Sequence, residues 1–170
     1  MHNLIRGSST FESRLLAWRL LTLVWAAHIF FLSTEGFGGE QTRSMLAELL
    51  YFLHLRVSAD VLEMLHTTLR KLAHLTEYAV FAFLLYRSMG GLGDVRKQRR
   101  LVTWCIVVAA AYSLTDEFHQ SFVRGRNASL IDCGIDTTGA VIAMLVLYGL
   151  SELKSRRTAG LYRARLENIK

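Results

Sequence analysis

The stretch Leu101–Thr115 (LVTWCIVVAAAYSLT) has no charged side chain and is apolar around its whole circumference. A helix in water shows one polar face at the helical period, so this pattern asks for a non-aqueous surround. Two further runs, Leu20–Thr34 and Thr137–Ser151, are also free of charged residues. Each is shorter than the roughly 18 residues usually taken to mark a membrane span. Flanking basic side chains can snorkel, which brings each segment to about 20 residues, enough to cross a hydrocarbon core of about 30 Å.

The chain of 170 residues contains no proline and 12 glycines, so helical interiors are unbroken and the punctuation of a β protein is missing. We therefore expect an all-α fold, a polytopic membrane helical bundle of one domain. Four transmembrane helices are expected at about 13–34, 69–89, 100–120 and 130–152. Residues 1–152 would form the membrane domain and residues 153–170 a basic cytoplasmic tail. Between the first two spans, Gly36–Gly39 makes a turn, and Met45–Leu55 and Asp60–Thr68 read as short amphipathic helices lying at the interface, the second opening on Asp60 with Glu63 three residues on. Cys105 and Cys133 read as packing residues.

Basic residues set the orientation. Arg6 and Arg14 precede span 1, Arg87, Arg96, Lys97, Arg99 and Arg100 separate spans 2 and 3, and Lys154, Arg156, Arg157, Arg163 and Arg165 follow span 4. By the positive-inside rule these regions, and both termini, are cytoplasmic. The net charge of +6 is then explained by topology and by anionic lipid, and no nucleic-acid partner is called for.

The opposite end carries the chemistry. Lys71, His74 and Tyr78 lie on one face of an otherwise apolar helix. Span 3 ends in Asp116, Glu117 and Gln120; a loop with Arg124 and Arg126 follows, and span 4 opens with Ser129, Asp132 and Asp136. Counted from the cytoplasmic markers at about 1.5 Å per residue, His74, Asp116 and Asp136 lie at nearly level heights of roughly 20–24 Å. His74, Asp116 and Glu117 are the candidates for acid–base work; Lys71, Tyr78, Gln120, Arg126, Ser129, Asp132 and Asp136 are the candidates for ligand binding. The sequence Ser129-Leu130-Ile131-Asp132 also reads as a capping box, in which the carboxylate returns to the backbone. No metal-ligand signature and no nucleophile motif is present, and no cofactor is specified.

Arg70-Lys71-x-x-His74-x-x-x-Tyr78, Asp116-Glu117-x-x-Gln120-x-Phe122, Gly125-Arg126-x-x-Ser129-x-x-Asp132 and Gly139, in this order, resemble the VanZ-like family over roughly residues 20–150. Two departures stand out: Arg124 occupies the place of a usual proline and Asp136 that of a usual asparagine. The resemblance implies a bacterial inner-membrane protein connected with the cell envelope, in a family whose founding member is associated with low-level teicoplanin resistance. It supplies no reaction. An enzyme acting on an anionic lipid head group or envelope precursor, a module that only binds one, a structural network and a small proton-coupled transporter all fit the residues at this point.

Overall fold

The computed structural model describes residues 2–91, 98–123 and 128–167. Five helices run α1 His2–Leu32, α2 Gly39–Phe52, α3 Ala59–Ser88, α4 Arg99–Gln120 and α5 Leu130–Glu167, with a 3-10 turn at Glu35–Phe37. No strand occurs among the described residues. The expected all-α class is therefore observed.

Three segments are long and apolar enough to cross a bilayer: Phe11–Leu32, Arg99–Gln120 and Leu130–Gly160. Large apolar side chains such as Leu23, Val24, Leu145 and Leu153 point outward and are 62–66% exposed. A surface this apolar is suited to lipid. The fourth expected span lies in α3, which does not pass the same measure because Arg70, Lys71, Glu77 and Arg87 interrupt it. α3 is the central helix, packed against α1, α2, α4 and α5, with its most extensive contact on α5.

Several expected boundaries change. Asp60–Thr68 is not a separate helix, because no glycine or proline interrupts residues 59–88, and α3 continues for 30 residues or roughly 45 Å. Its N-cap is Ser58, whose Oγ accepts the Val61 amide at 3.3 Å, rather than Asp60. α2 starts earlier than expected and closes at Phe52. Leu55 N returns to Leu50 O at 2.9 Å, with His54 at φ 59° in the left-handed region. Beyond residue 152, α5 runs on through Glu167, so the basic segment extends the helix.

The core is built by small residues that let helices approach and by aromatics that fill the spaces between them. Ala82, Cys105, Ala109 and Ala140 are fully buried beside Tyr78, Phe81 and Met144. With no water to satisfy stray donors, side chains bond to neighbouring backbones: Trp25 Nε1 donates to Glu77 O at 3.0 Å, and Tyr112 Oη to Ala26 O at 2.7 Å. At the basic end, the Arg87 guanidinium sits 4.9 Å over the Trp18 ring, and Arg19 Nε donates to Ser88 O at 3.4 Å.

The tightest approach is at Gly139 on α5. A Cβ there would fall 2.1 Å from Leu75 O and 2.9 Å from Leu75 C on α3. No side-chain adjustment can relieve a clash with backbone, so only glycine permits this packing. Gly134 on the same helix has nothing within 4 Å. Alanine normally improves a helix over glycine by roughly 0.5–1 kcal/mol. Gly139→Ala should nevertheless lower the thermal unfolding midpoint in detergent, while Gly134→Ala leaves it unchanged or raises it. Equal responses from the two variants would show that the α3–α5 approach does not constrain the fold.

Candidate functional site

α4 places Ser113, Asp116, Glu117 and Gln120 along one stripe at helical spacing, and all four are at least 95% buried. Each carboxylate in this stripe meets a different helix. Asp116 accepts a short hydrogen bond from Ser33 Oγ at the end of α1, and Gln120 Nε2 donates to its other oxygen at 2.7 Å. Gln120 Nε2 also reaches Ser33 Oγ at 3.2 Å.

Glu117 holds the start of α5. Its Oε2 accepts the Ser129 amide at 2.6 Å, while Ser129 Oγ accepts the Ile131 amide at 3.2 Å. This corrects the expected capping box: Glu117 of α4 takes the place that Asp132 was expected to fill. The Asp132 side chain makes no hydrogen bond or ion pair among the described residues, and Asp132 lines a cavity instead.

Asp136 is fully buried and joins three helices. His74 Nδ1 of α3 lies 3.2 Å from its Oδ1, and Ser113 Oγ of α4 donates to its Oδ2 at 2.6 Å. Asp136 sits almost one turn before Gly139, and His74 directly precedes Leu75, so the backbone approach at Gly139 brings this pair into range. In the neutral ring with Nδ1–H directed at the carboxylate, His74 presents the lone pair of Nε2.

Two cavities adjoin this cluster and share Arg70 and His74. The larger, about 380 Å³, lies between α2, α3 and the start of α5; Lys71, Ser129 and Asp132 line it. The smaller, about 170 Å³, reaches Ser33, Glu77, Asp116 and Gln120. Thus His74 borders the same space as Asp116 on one side and Asp132 on the other. Tyr78 lines neither; it is fully buried in the core against Phe81 and Tyr112, without a hydrogen bond of ordinary geometry for its hydroxyl among the described residues. Arg126, with Arg124, lies outside the described residues. Among the described residues no group of three or more His, Cys, Asp or Glu side chains is arranged to hold a metal ion.

Several residues at the site escaped the sequence reading. Ser33 and Ser113 are serines in apolar runs, and only their spacing to the later carboxylates on α4 marks Ser113. Thr42 Oγ1 meets His66 Nε2 at 2.8 Å, and Arg43 Nε lies 3.2 Å from Glu63 Oε2, tying α2 onto α3. The polar face of α2, with Gly39, Thr42 and Arg43 at helical spacing, was the available signal.

Removing the Asp136 carboxylate strands both the Ser113 hydroxyl and the His74 imidazole, and each buried orphan costs about 1–3 kcal/mol. In a double-mutant cycle, Asp136→Ala and Ser113→Ala should therefore be non-additive in unfolding free energy by about 0.5 kcal/mol or more. Additivity would mean that the carboxylate does not couple α4 to α5.

The sequence profile of the VanZ/LLP1 family matches residues 18–151, well over half of the chain. Neither a curated protein nor a solved structure gives a significant match. The expected resemblance over roughly residues 20–150 is borne out, and the span-like helices agree with a membrane protein of this kind. The chain belongs to the VanZ/LLP1 family.

Proposed function

We propose that this VanZ-like membrane protein uses its polar helix ends as an extracytoplasmic cleft that recognises or acts on an anionic component of the cell envelope, a lipid head group or a precursor. In this reading α3 is the fourth span. Its charged residues are tolerated because they face the bundle and its cavities, where a charge costs less than in lipid. The basic end, with Trp18, Arg87 and Arg99, is cytoplasmic, as are both termini, and the membrane is the bacterial inner membrane.

One observation carries the reading. Arg70 and Lys71 line the larger cavity, and neither has an ion-pair partner among the described residues. Cations lining a cavity at the edge of the hydrocarbon core are well placed to meet an anion there. The start of α5, with Ser129, brings the positive end of a helix dipole to the far wall. Arg126 belongs to the proposed ligand set by its place in the motif.

A second reading, catalysis, is favoured by the His74–Asp136 pair. A carboxylate that fixes one imidazole nitrogen leaves the other to take or give a proton, as in other carboxylate-oriented histidines. Asp116 borders the smaller cavity and is the second proton-holding candidate; Glu117, engaged with Ser129, would act by placing α5. Ser113 is fully buried and bonded to Asp136, which does not suit a nucleophile. The link to teicoplanin comes from the family alone and supplies a phenotype to read.

In cells made teicoplanin-tolerant by this protein, Lys71→Gln should lower tolerance by weakening recognition. His74→Gln separates the two readings. If chemistry follows binding, this variant should reach wild-type membrane levels, retain anion binding and lose tolerance almost completely, since a lost general base lowers rates by about 10²–10⁴-fold. Near-normal tolerance in His74→Gln together with loss in Lys71→Gln would leave binding as the function. Normal tolerance in both would overturn the cleft itself.

A further inference from the structure

The larger cavity has features that a general anion site does not require. Arg43 is already balanced, with Glu63 at 3.2 Å and Glu40 at 3.7 Å; among the described residues Arg70 and Lys71 are the lining cations without an ion-pair partner, and Asp132 is the lining carboxylate without one. Gly39 leaves a notch over the guanidinium: a Cβ there would lie 3.1 Å from Arg70 Nη1. His66, 93% buried, borders the cavity with its Nδ1 lacking a protein partner among the described residues.

The state of that ring follows from its neighbour. The Thr42 hydroxyl is directed at the Gly38 and Gly39 carbonyls, both at 3.1 Å, so its oxygen accepts from His66 Nε2–H. In the neutral ring Nδ1 is then an acceptor, which a hydroxyl of the ligand can satisfy. Two cations, an acceptor and a carboxylate suit a phosphate carrying a hydroxylated substituent better than a bare carboxylate.

Height supplies the source. Arg70 lies about 17 residues before Arg87 and His66 about 21, or roughly 25 and 31 Å along α3, the level of the far boundary of a hydrocarbon core of about 30 Å. Lipid phosphates lie at that boundary. Beside the cavity, α2 has no buried residue and presents Met45, Leu49, Tyr51 and Phe52 outward at 52–87% exposure, an apolar face suited to lying on the same boundary.

Resting on the reading of the cleft as an outward-facing anion site, we propose that the larger cavity binds the phosphate of an outer-leaflet lipid with a hydroxylated head group, held by Arg70 and Lys71, with Gly39 giving it room and His66 and Asp132 accepting from its hydroxyls. Recognition is of phosphate and hydroxyl together, at membrane level, and α2 covers the site from the aqueous side.

The test is titration calorimetry on the full chain in maltoside micelles with four probes: dioctanoyl phosphatidylglycerol, dioctanoyl phosphatidylcholine, octanoate and inorganic phosphate. Phosphatidylglycerol should bind at least about tenfold more tightly than each of the others. Lys71→Gln, at an exposed position where folding is not at stake, should weaken it about tenfold or more, as losing a charge-assisted hydrogen bond does. Arg99→Gln, at the opposite end, should change it less than about twofold. Octanoate binding as tightly would overturn phosphate selectivity while leaving an anion cleft. Inorganic phosphate binding as tightly would overturn the lipid as source, and phosphatidylcholine binding as tightly would overturn the requirement for head-group hydroxyls. No binding of any anionic probe would overturn the underlying reading as well.

Discussion

A carboxylate with no exposure to solvent, Asp136, stands where α3, α4 and α5 converge, and the arrangement of the bundle follows from satisfying it. Burying an ionisable group without partners is prohibitive in an apolar surround, so His74 and Ser113 must both reach it. That is possible only because α5 comes within backbone contact of α3 at Gly139. The close approach fixes the depth of His74 relative to α5, and the same α4 stripe that contributes Ser113 contributes Asp116, Glu117 and Gln120 one and two turns further on. Packing and polar chemistry are therefore one problem with one solution. Glycine sets the spacing, and the carboxylate sets the register.

The consequences run outward from there. Asp116 draws in the end of α1 through Ser33, and Glu117 accepts the Ser129 amide just before α5, so the end of α1 and the start of α5 are both tied to α4 by a carboxylate. Above this layer α2 is held through Thr42–His66 and Arg43–Glu63 and has no buried residue of its own. A helix with no fully buried residue opens at lower cost than one seated in the core. The cavities lie between the rigid layer and this lightly held cover, sharing Arg70 and His74.

Much of this was legible in the sequence. The uncharged runs gave three helices suited to crossing a membrane, and helical counting placed His74, Asp116 and Asp136 at one height. What could not be read was pairing. Ser33 meets Asp116 across 83 residues and His74 meets Asp136 across 62, separations on which local periodicity is silent. The capping box at Ser129 went wrong for the same reason, since a carboxylate from another helix supplied what the local pattern promised from Asp132. Splitting α3 in two had a different cause. The change from amphipathic to apolar character near residue 69 marks where the surroundings change, and nothing in the backbone breaks there.

In the proposed orientation these helix ends face away from the cytoplasm, where an envelope component can reach them. Single cysteines in a background with Cys105 and Cys133 replaced by alanine test this directly, one at exposed Ser121 after α4 and one at exposed Thr158 on the basic extension of α5. In intact cells an impermeant maleimide should label Ser121→Cys at once and Thr158→Cys only after the membrane is permeabilised. Labelling of Thr158→Cys with protection of Ser121→Cys would place the polar cluster on the cytoplasmic side and contradict the account.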